Sequence, residues 1–539
     1  MFKNKVIPCV LLALSPVVFA QQPSAGSQLR QIPSVPGQPQ VAPAMVVKPL
    51  SPAAIAAPDT AKITVNSLRV TGARAYSEAE LIAVTGFKPG SLLSLTDLRG
   101  MAERITRHYQ SQGYFVAQAY LPTQDIKDGI VTIAVIDGQY GKVSLNNQTN
   151  VSNTLATGLL NGLNPGEVVA SAPLENRLLL LSDLPGVKVS SSLVPGAEVG
   201  SSDLVVNLTP GRRISGSIDA DNAGNYYTGA NRIGATVNFN EPLGLGDVAS
   251  LRVLTSGRGL NYARGSYQLQ FGKATVGVAY SALEYEFSRG PFEGYNGTVK
   301  IASLYGSYPL IRSRDNNLYA GLNYDDKTFE DKTNNSTTYR DKKAQVLTAS
   351  LYGDRRDSLG GGGVTGYSLA LSAGNIDNSN PVEINGNFNK LGFSLSRLQR
   401  VTDTVSLSAV ANGQLASKAL DASEQMELGG MYGVRAYPEG EGYGDEGVVL
   451  NLEARVQMPK FSGSMPGQLQ LIGFVDAGTV RAHGAGTRRT LSGAGVGVNW
   501  SDTNNFMVRA YYAVKIGDEA ATSAPDKSGR FWIQGVKYF

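Results

Sequence analysis

Side chains that usually carry catalysis are nearly missing from this chain. Histidine occurs only at His108 and His483, and the single cysteine is Cys9. Thiolate sites, disulfides and histidine-based metal or triad chemistry therefore have almost nothing to be built from. What is concentrated enough to act is a run of glycines, aromatics and charges from Gly429 to Gly447, containing Val434-Arg435-Ala436-Tyr437 and Gly444-Asp445-Glu446-Gly447. So many glycines beside charges describe a compact loop whose backbone passes close to other structure. A second candidate follows in Leu471-Ile472-Gly473-Phe474-Val475-Asp476-Ala477-Gly478. On a strand, Phe474 and Asp476 share one face, opposite Leu471, Val475 and Ala477. These residue types suit ion pairing and positioning. Neither a phosphate loop nor a serine–histidine–acid grouping is present, so no enzymatic activity, cofactor or metal is expected.

The elements that position these residues are strands. From Arg213 onward, two-residue alternation dominates. In Val448 to Met458, Val448, Leu450, Leu452, Ala454, Val456 and Met458 alternate with Val449, Asn451, Glu453, Arg455 and Gln457. Asn231 to Asn240 and Phe506 to Ile516 behave alike. An apolar face over segments of about 10 to 12 residues is what a tilted membrane-spanning strand needs. About 16 such segments can be traced, joined alternately by short turns and longer polar connections. The short ones include 241–247, 271–273 and 502–504, and the long ones 287–296, 330–340, 374–387, 481–490 and 517–529. The longest, about Ala416 to Glu446, contains the glycine-rich run. An even strand number returns both barrel ends to one side of the membrane, and Tyr538-Phe539 supplies an aromatic terminus. Phe474 and Asp476 then point into the lumen.

Ahead of the barrel lie three zones. Lys3, Lys5, an apolar stretch from Val6 to Phe19 and Ala20 read as a cleaved secretory leader, residues 1–20, too short to span a bilayer as a helix. Cys9 lies inside it and is absent from the mature chain. Residues 21–61 are proline-rich and favour an extended tether. This tract leaves only about Ser51 to Ala57 as a candidate helix, so an N-terminal helix plugging the barrel is not expected. Residues 62–138 and 139–210 show the same order, β-α-α-β-β, with helices at Ser77–Val84, from Thr96 and Asp97 to Gly113, at Asn153–Leu160 and at Leu174–Leu181. Each copy can bury one sheet face under two helices. A net charge of +4 from mixed signs gives no sign of nucleic-acid binding.

Two α/β modules, a long barrel from 211 to 539, the Val434-Arg435-Ala436-Tyr437 loop and the Phe474-Val475-Asp476-Ala477-Gly478 strand together resemble the transporters of two-partner secretion. These are the TpsB proteins, or ShlB/FhaC/HecB haemolysin secretion/activation family, of the polypeptide-transport-associated (POTRA) barrel superfamily. The turn Pro242 to Asp247 and the segment Tyr308 to Arg314 are also similar to family turns, and the resemblance covers residues 62 to 539. Two departures stand out. The family loop usually reads Val-Arg-Gly-Tyr/Phe where this chain has Ala436, a small change unless that position requires a positive φ. At the C-terminus, Lys537 takes a usually apolar position.

The resemblance implies a membrane all-β fold: a 16-stranded transmembrane β-barrel in the bacterial outer membrane, preceded by two periplasmic α/β POTRA domains. It implies that the long loop folds back into the lumen with Arg435 paired to Asp476, and that Val434, Tyr437, Gly444, Asp445 and Gly447 shape this transport and gating loop against Phe474, Asp476 and Gly478. A charge inside a narrow lumen needs a counter-ion in any case, since an unpaired one is costly. The expected partners are a secreted exoprotein (TpsA-type) recognised through its N-terminal secretion domain, outer-membrane lipid, and the barrel-assembly machinery during biogenesis, with the transporter a monomer. The exported protein could be an adhesin, a haemolysin or a contact-dependent toxin. A barrel-assembly factor is the alternative, although such proteins usually carry three or more modules. A passive porin would leave the modules without a role, and an enzyme would lack catalytic groups.

Overall fold

The computed structural model describes residues 24–33, 44–47, 61–332, 338–379, 384–460, 466–484 and 488–539. The expected leader and the candidate helix Ser51–Ala57 lie outside them. Sixteen antiparallel strands close into a barrel, from Ile214–Asp221 to Gly529–Tyr538, each paired with its neighbours in sequence. The first and last strands close the cylinder through five residue pairs, Ser217↔Tyr538 to Asp221↔Gln534. Outward positions are apolar and exposed, as along Val448, Leu450, Leu452 and Val456. The inward set carries Arg232, Arg252, Lys327, Lys342 and Asp476, all buried. Closure leaves no unpaired sheet edge, which is what allows strands to sit in hydrocarbon.

The wall is uneven in height. Strands six to ten, Asn296–Arg312, Asn316–Lys332, Thr338–Asp357, Gly363–Asn378 and Gly386–Arg400, run 15 to 20 residues. The first three, Ile214–Asp221, Arg232–Asn240 and Val248–Thr255, run 8 or 9. This corrects two connections expected at 330–340 and 374–387: strand pairing continues through Lys332, resumes at Thr338, and later reaches Asn378 and restarts at Gly386. The alternating apolar face ends where the lipid ends, while backbone pairing goes on above it.

Both α/β modules have two helices on a small sheet. In the first, strands Ser67–Thr71, Ile130–Ile136 and Gln118–Tyr120 form the sheet, and Lys62–Val65 pairs separately with Ser91–Ser94. Helices Glu78–Thr85 and Leu95–Ser111 each begin with a capping box, Ser77 with Glu80 and Ser94 with Asp97. Leu98, Met101, Ile105 and Tyr109 of the longer helix fill its core. In the second, helices Asn153–Leu160 and Ser171–Ser182 pack on strands Gln139–Asn147, Val187–Pro195 and Ser201–Pro210. That sheet has a fourth member from the N-terminal tract. Ala44–Val47 pairs in parallel with Ser190–Leu193 at the edge.

The second module is fastened to the barrel. Arg312, at the turn after the sixth strand, makes a bidentate contact with Asp183 at 2.7 and 2.8 Å. The backbone N–H of Arg314 donates to Glu175 at 2.7 Å, and that of Ser152 to the carbonyl of Gly244 at 2.8 Å.

Candidate functional site: the lumen loop and its helix

Between the eleventh strand, Val405–Ala416, and the twelfth, Glu446–Gln457, residues 417–445 leave the rim and turn down into the barrel. Within the loop, Met426–Glu427 pairs with Tyr443–Gly444 as a two-residue ladder. A turn at its tip is closed by the Tyr437 N–H donating to the Val434 carbonyl at 3.0 Å. The descent requires close contacts. A Cβ on Gly444 would sit 2.6 Å from Val480 Cβ, one on Gly447 2.6 Å from the Thr479 carbonyl, and one on Gly478 2.5 Å from Leu428 Cδ1. Ala436 lacks positive φ and is fully buried against Gly493, so the departure from the family pattern is accommodated.

The tip meets the wall at Asp476. Arg435 donates from Nε to Oδ2 at 2.8 Å, from Nη2 to Oδ1 at 2.7 Å and from its backbone N–H to Oδ2 at 3.1 Å. Its remaining Nη1 donates to Glu453 at 2.7 Å, a partner that sequence reading missed although Glu453 was placed on the polar face of its strand. The guanidinium carbon lies 3.5 Å from the centroid of Phe474 and 4.9 Å from that of Tyr511. Asn451 also donates to Asp476, and the Trp532 indole to the Arg435 carbonyl, each closing a remaining valence. Val434 and Tyr437 are fully buried in the same apolar cluster. A planar cation with five donors is thus satisfied by two carboxylates and an aromatic face, which Lys could not reproduce. Asp445 acts elsewhere, as the organiser of the loop base: it accepts from the N–H groups of Leu420 and His483 and from Gln425, at 2.7 to 2.8 Å.

The loop also crosses the lumen. At its base Glu424 takes Lys327 and Lys390 at 2.7 Å, and Asp421 takes Lys342 at 2.7 Å. Burial alone would raise the Glu424 carboxyl, but the two ammonium groups hold it down to about 2. The loop is thereby pinned to the seventh, eighth and tenth strands at one end and to the twelfth and thirteenth at the other.

A second occupant overturns one expectation. Ala25–Arg30 is a helix inside the barrel, capped by Ser24 and Ser27, with Ala25 to Gln28 buried. The Ala25 N–H donates to Asp331 at 2.8 Å, Thr228 to Gln28 at 3.1 Å, and Arg232 to the Gln31 carbonyl at 2.9 Å. Gln31 donates to Tyr443 of the loop at 2.7 Å, and a Cβ on Gly26 would lie 2.7 Å from the Ser423 nitrogen. At six residues it has little helical periodicity to read, and its partners are hundreds of positions away. The available signals were the Ser24-x-x-Ser27 cap and the proline-free interval up to Pro33.

Two small modules feeding a closed barrel, with a polar lumen occupied by a pinned loop and a tethered helix, define a polypeptide-transporting outer-membrane barrel. The chain belongs to the haemolysin secretion/activation protein ShlB/FhaC/HecB family, whose profile matches residues 200–500, and a ShlB-type POTRA domain matches residues 63–138. Among similar proteins, the heme/hemopexin transporter protein HuxB of Haemophilus influenzae (strain 86-028NP) is 29% identical over 84% of this chain and 82% of its own length. The outer membrane transporter CdiB of Dickeya dadantii is 24% identical over 81% of this chain and 80% of its own. Of solved structures, CdiB from Escherichia coli shares the fold at a TM-score of 0.70, with 20% identity over 91% of this chain and 93% of that one. BamA from Haemophilus ducreyi lacking POTRA domains 1–3 shares it at 0.53, with 16% identity over 88% and 100%. The protein is a two-partner secretion transporter of the bacterial outer membrane, its POTRA domains in the periplasm.

Proposed function

We propose that this transporter exports an unfolded partner exoprotein by using the Arg435–Asp476 contact as a releasable lock on the lumen loop. The observation that carries the reading is that inside the lumen the loop is held to the wall by side-chain ion pairs at its base and tip, while its backbone bonds to neighbouring strands lie at the rim, from Ser417 to Asn389 and from Asp445 to Arg481. It can therefore shift without any strand unpairing. The second module takes the cargo's N-terminal secretion domain at the sheet edge of Val187–Pro195, by strand addition. That edge is occupied by Ala44–Val47. An incoming cargo strand competes with a segment tethered to the lumen helix, which links recognition below to unplugging above. Beside the loop, the lumen wall is lined by Ser368, Ala370, Gly392, Ser394 and Asn412, small and uncharged, which suits a chain of arbitrary sequence. Export is non-enzymatic, and folding of the cargo outside biases its exit. The transporter acts as a monomer, inserted by the barrel-assembly machinery and needing no nucleic acid.

The test is transfer of an unfolded partner into liposomes carrying the purified protein. Asp476→Asn and Arg435→Ala should reduce transfer while the barrel remains heat-modifiable. Transfer at the unsubstituted rate by both variants would remove the lock from the mechanism. If the protein instead inserted other barrels and moved no exoprotein, an assembly role would replace export.

A further inference from the structure

The extracellular connection between the last two strands, residues 516–528, lies across the top of the lumen loop. One side chain holds it there. Glu441 is fully buried. Its Oε2 accepts from the consecutive backbone N–H groups of Thr522 and Ser523, at 2.8 and 2.9 Å, and from the Ser523 hydroxyl at 2.8 Å. Its Oε1 accepts from the Thr522 hydroxyl at 2.8 Å and pairs with Arg489 of the fourteenth strand, Arg488–Asp502. Contacts around it point the same way. Arg489 donates to the Ala520 carbonyl at 2.7 Å, Tyr437 at the loop tip to the Glu519 carbonyl at 3.2 Å, and Ser523 to the Glu439 carbonyl at 3.3 Å. Lys515 pairs with Asp526, which accepts the Ala521 N–H at 2.7 Å, and Ala521 packs on the loop's apolar cluster.

Four donors of one outer connection converge on a single carboxylate of another segment. The outer connection cannot lift alone without leaving that buried carboxylate with lost partners, a costly state. Conversely, once the lumen loop moves, the anchor moves with it.

We propose that residues 516–528 are an extracellular lid of the export pore, and that Glu441 is the positioning residue latching this lid to the lumen loop. The inference rests on the export reading and adds an outer closure to it. Since Cys9 is the only cysteine, a Cys9→Ser background with Ala524→Cys, at a site 8% exposed, provides a single reporter thiol on the lid. Intact cells are treated with a membrane-impermeant maleimide, and the purified protein is recorded in planar bilayers. Glu441→Gln should raise the labelling rate on the order of tenfold and add larger openings, with heat-modifiability unchanged. If Glu441→Gln does not assemble, the Thr522→Val/Ser523→Ala pair, which removes only hydroxyl donors from the lid side, carries the same readouts. Unchanged labelling would overturn the latch, and faster labelling with unchanged conductance would overturn the lid. Failure of the export reading looks different: the unsubstituted protein would transfer no cargo while the lid responses persisted.

Discussion

Arg435 is held by geometry as much as by charge. Removing one member of a buried pair leaves the other without a partner, at a typical cost of about 3 to 5 kcal/mol. Arg435→Ala should therefore free the loop tip, seen as new protease cleavage within 417–445, without unfolding the barrel. Exchanging the charges, Arg435→Asp with Asp476→Arg, should fail to restore export. The exchange leaves Glu453 facing an acid and the Phe474 ring without its cation. A second residue-scale expectation concerns acidity. Burial pushes the Glu427 carboxyl up to about 7 from its usual 4.5, and burial with the nearby Glu427 raises Glu439 further. Arg232, Arg30, Tyr443 and Asp221 face this pair. An acid that holds its proton more tightly in the closed arrangement imposes no penalty below its ordinary value, one that grows as pH rises from there to the raised value, about 7 for Glu427, and a constant one above it. Closure should thus be tightest in mild acid and loosen in base, measured as opening frequency at pH about 5 and about 8, and Glu427→Gln should flatten the difference.

At the scale of elements, the lumen helix supplies no strand to the closed barrel, so the pairing of the wall does not depend on it. Deleting residues 24–31 should raise conductance while leaving assembly and heat-modifiability intact. Breaking the tether strand with Met45→Pro and Val46→Pro together removes a ladder donor, because consecutive N–H groups of a strand face opposite sides and one of the two faces the sheet. It should increase the affinity of a secretion-domain peptide for the second module, measured by anisotropy. Legibility followed the reach of the physics. Val448 to Val456 reveal their strand because alternate positions face lipid, and Asn153–Leu160 emerged with its bounds intact because a helix is a local object. The extracellular extensions at Glu330 and Gly374 resemble loops in sequence because their outward positions, Glu330, Asn375 and Asp377, are polar where a lipid-facing strand is apolar, although Asp331 and Ile376 on the inner face are buried. Asp476 was legible as an inward charge, since its strand alternates cleanly. Glu453 as second partner of Arg435, and Glu441 as anchor, required knowing where a 29-residue loop comes to rest. Nothing in local spacing encodes that.

For the whole molecule, the rigid joint is between barrel and second module. Arg312 and Asp183 are only partly exposed, and they act with the Glu175 and Gly244 contacts. Asp183→Ala should broaden the spin-label distance distribution between the second module and a periplasmic turn, while distances across the barrel stay narrow. The first module adjoins the second through Val169 N–H to the Gly138 carbonyl and Ser171 N–H to the Gly113 carbonyl, with Phe115 and Val116 packed into the second core. On the proposed reading, cargo captured on the second module would be presented at a fixed position under the pore.

The five-pair junction between Ser217–Asp221 and Gln534–Tyr538 also sets an order of events during folding. It joins the two ends of the barrel sequence, so closing it costs more chain entropy than forming any neighbouring hairpin and yields fewer hydrogen bonds. The 15- to 20-residue strands in the middle pair locally and have the most to gain. The cylinder should grow outward from them and shut last at this junction. An assembly-arrested chain would then be a curled open sheet, with strands Ile214–Asp221 and Gly529–Tyr538 as its two free margins.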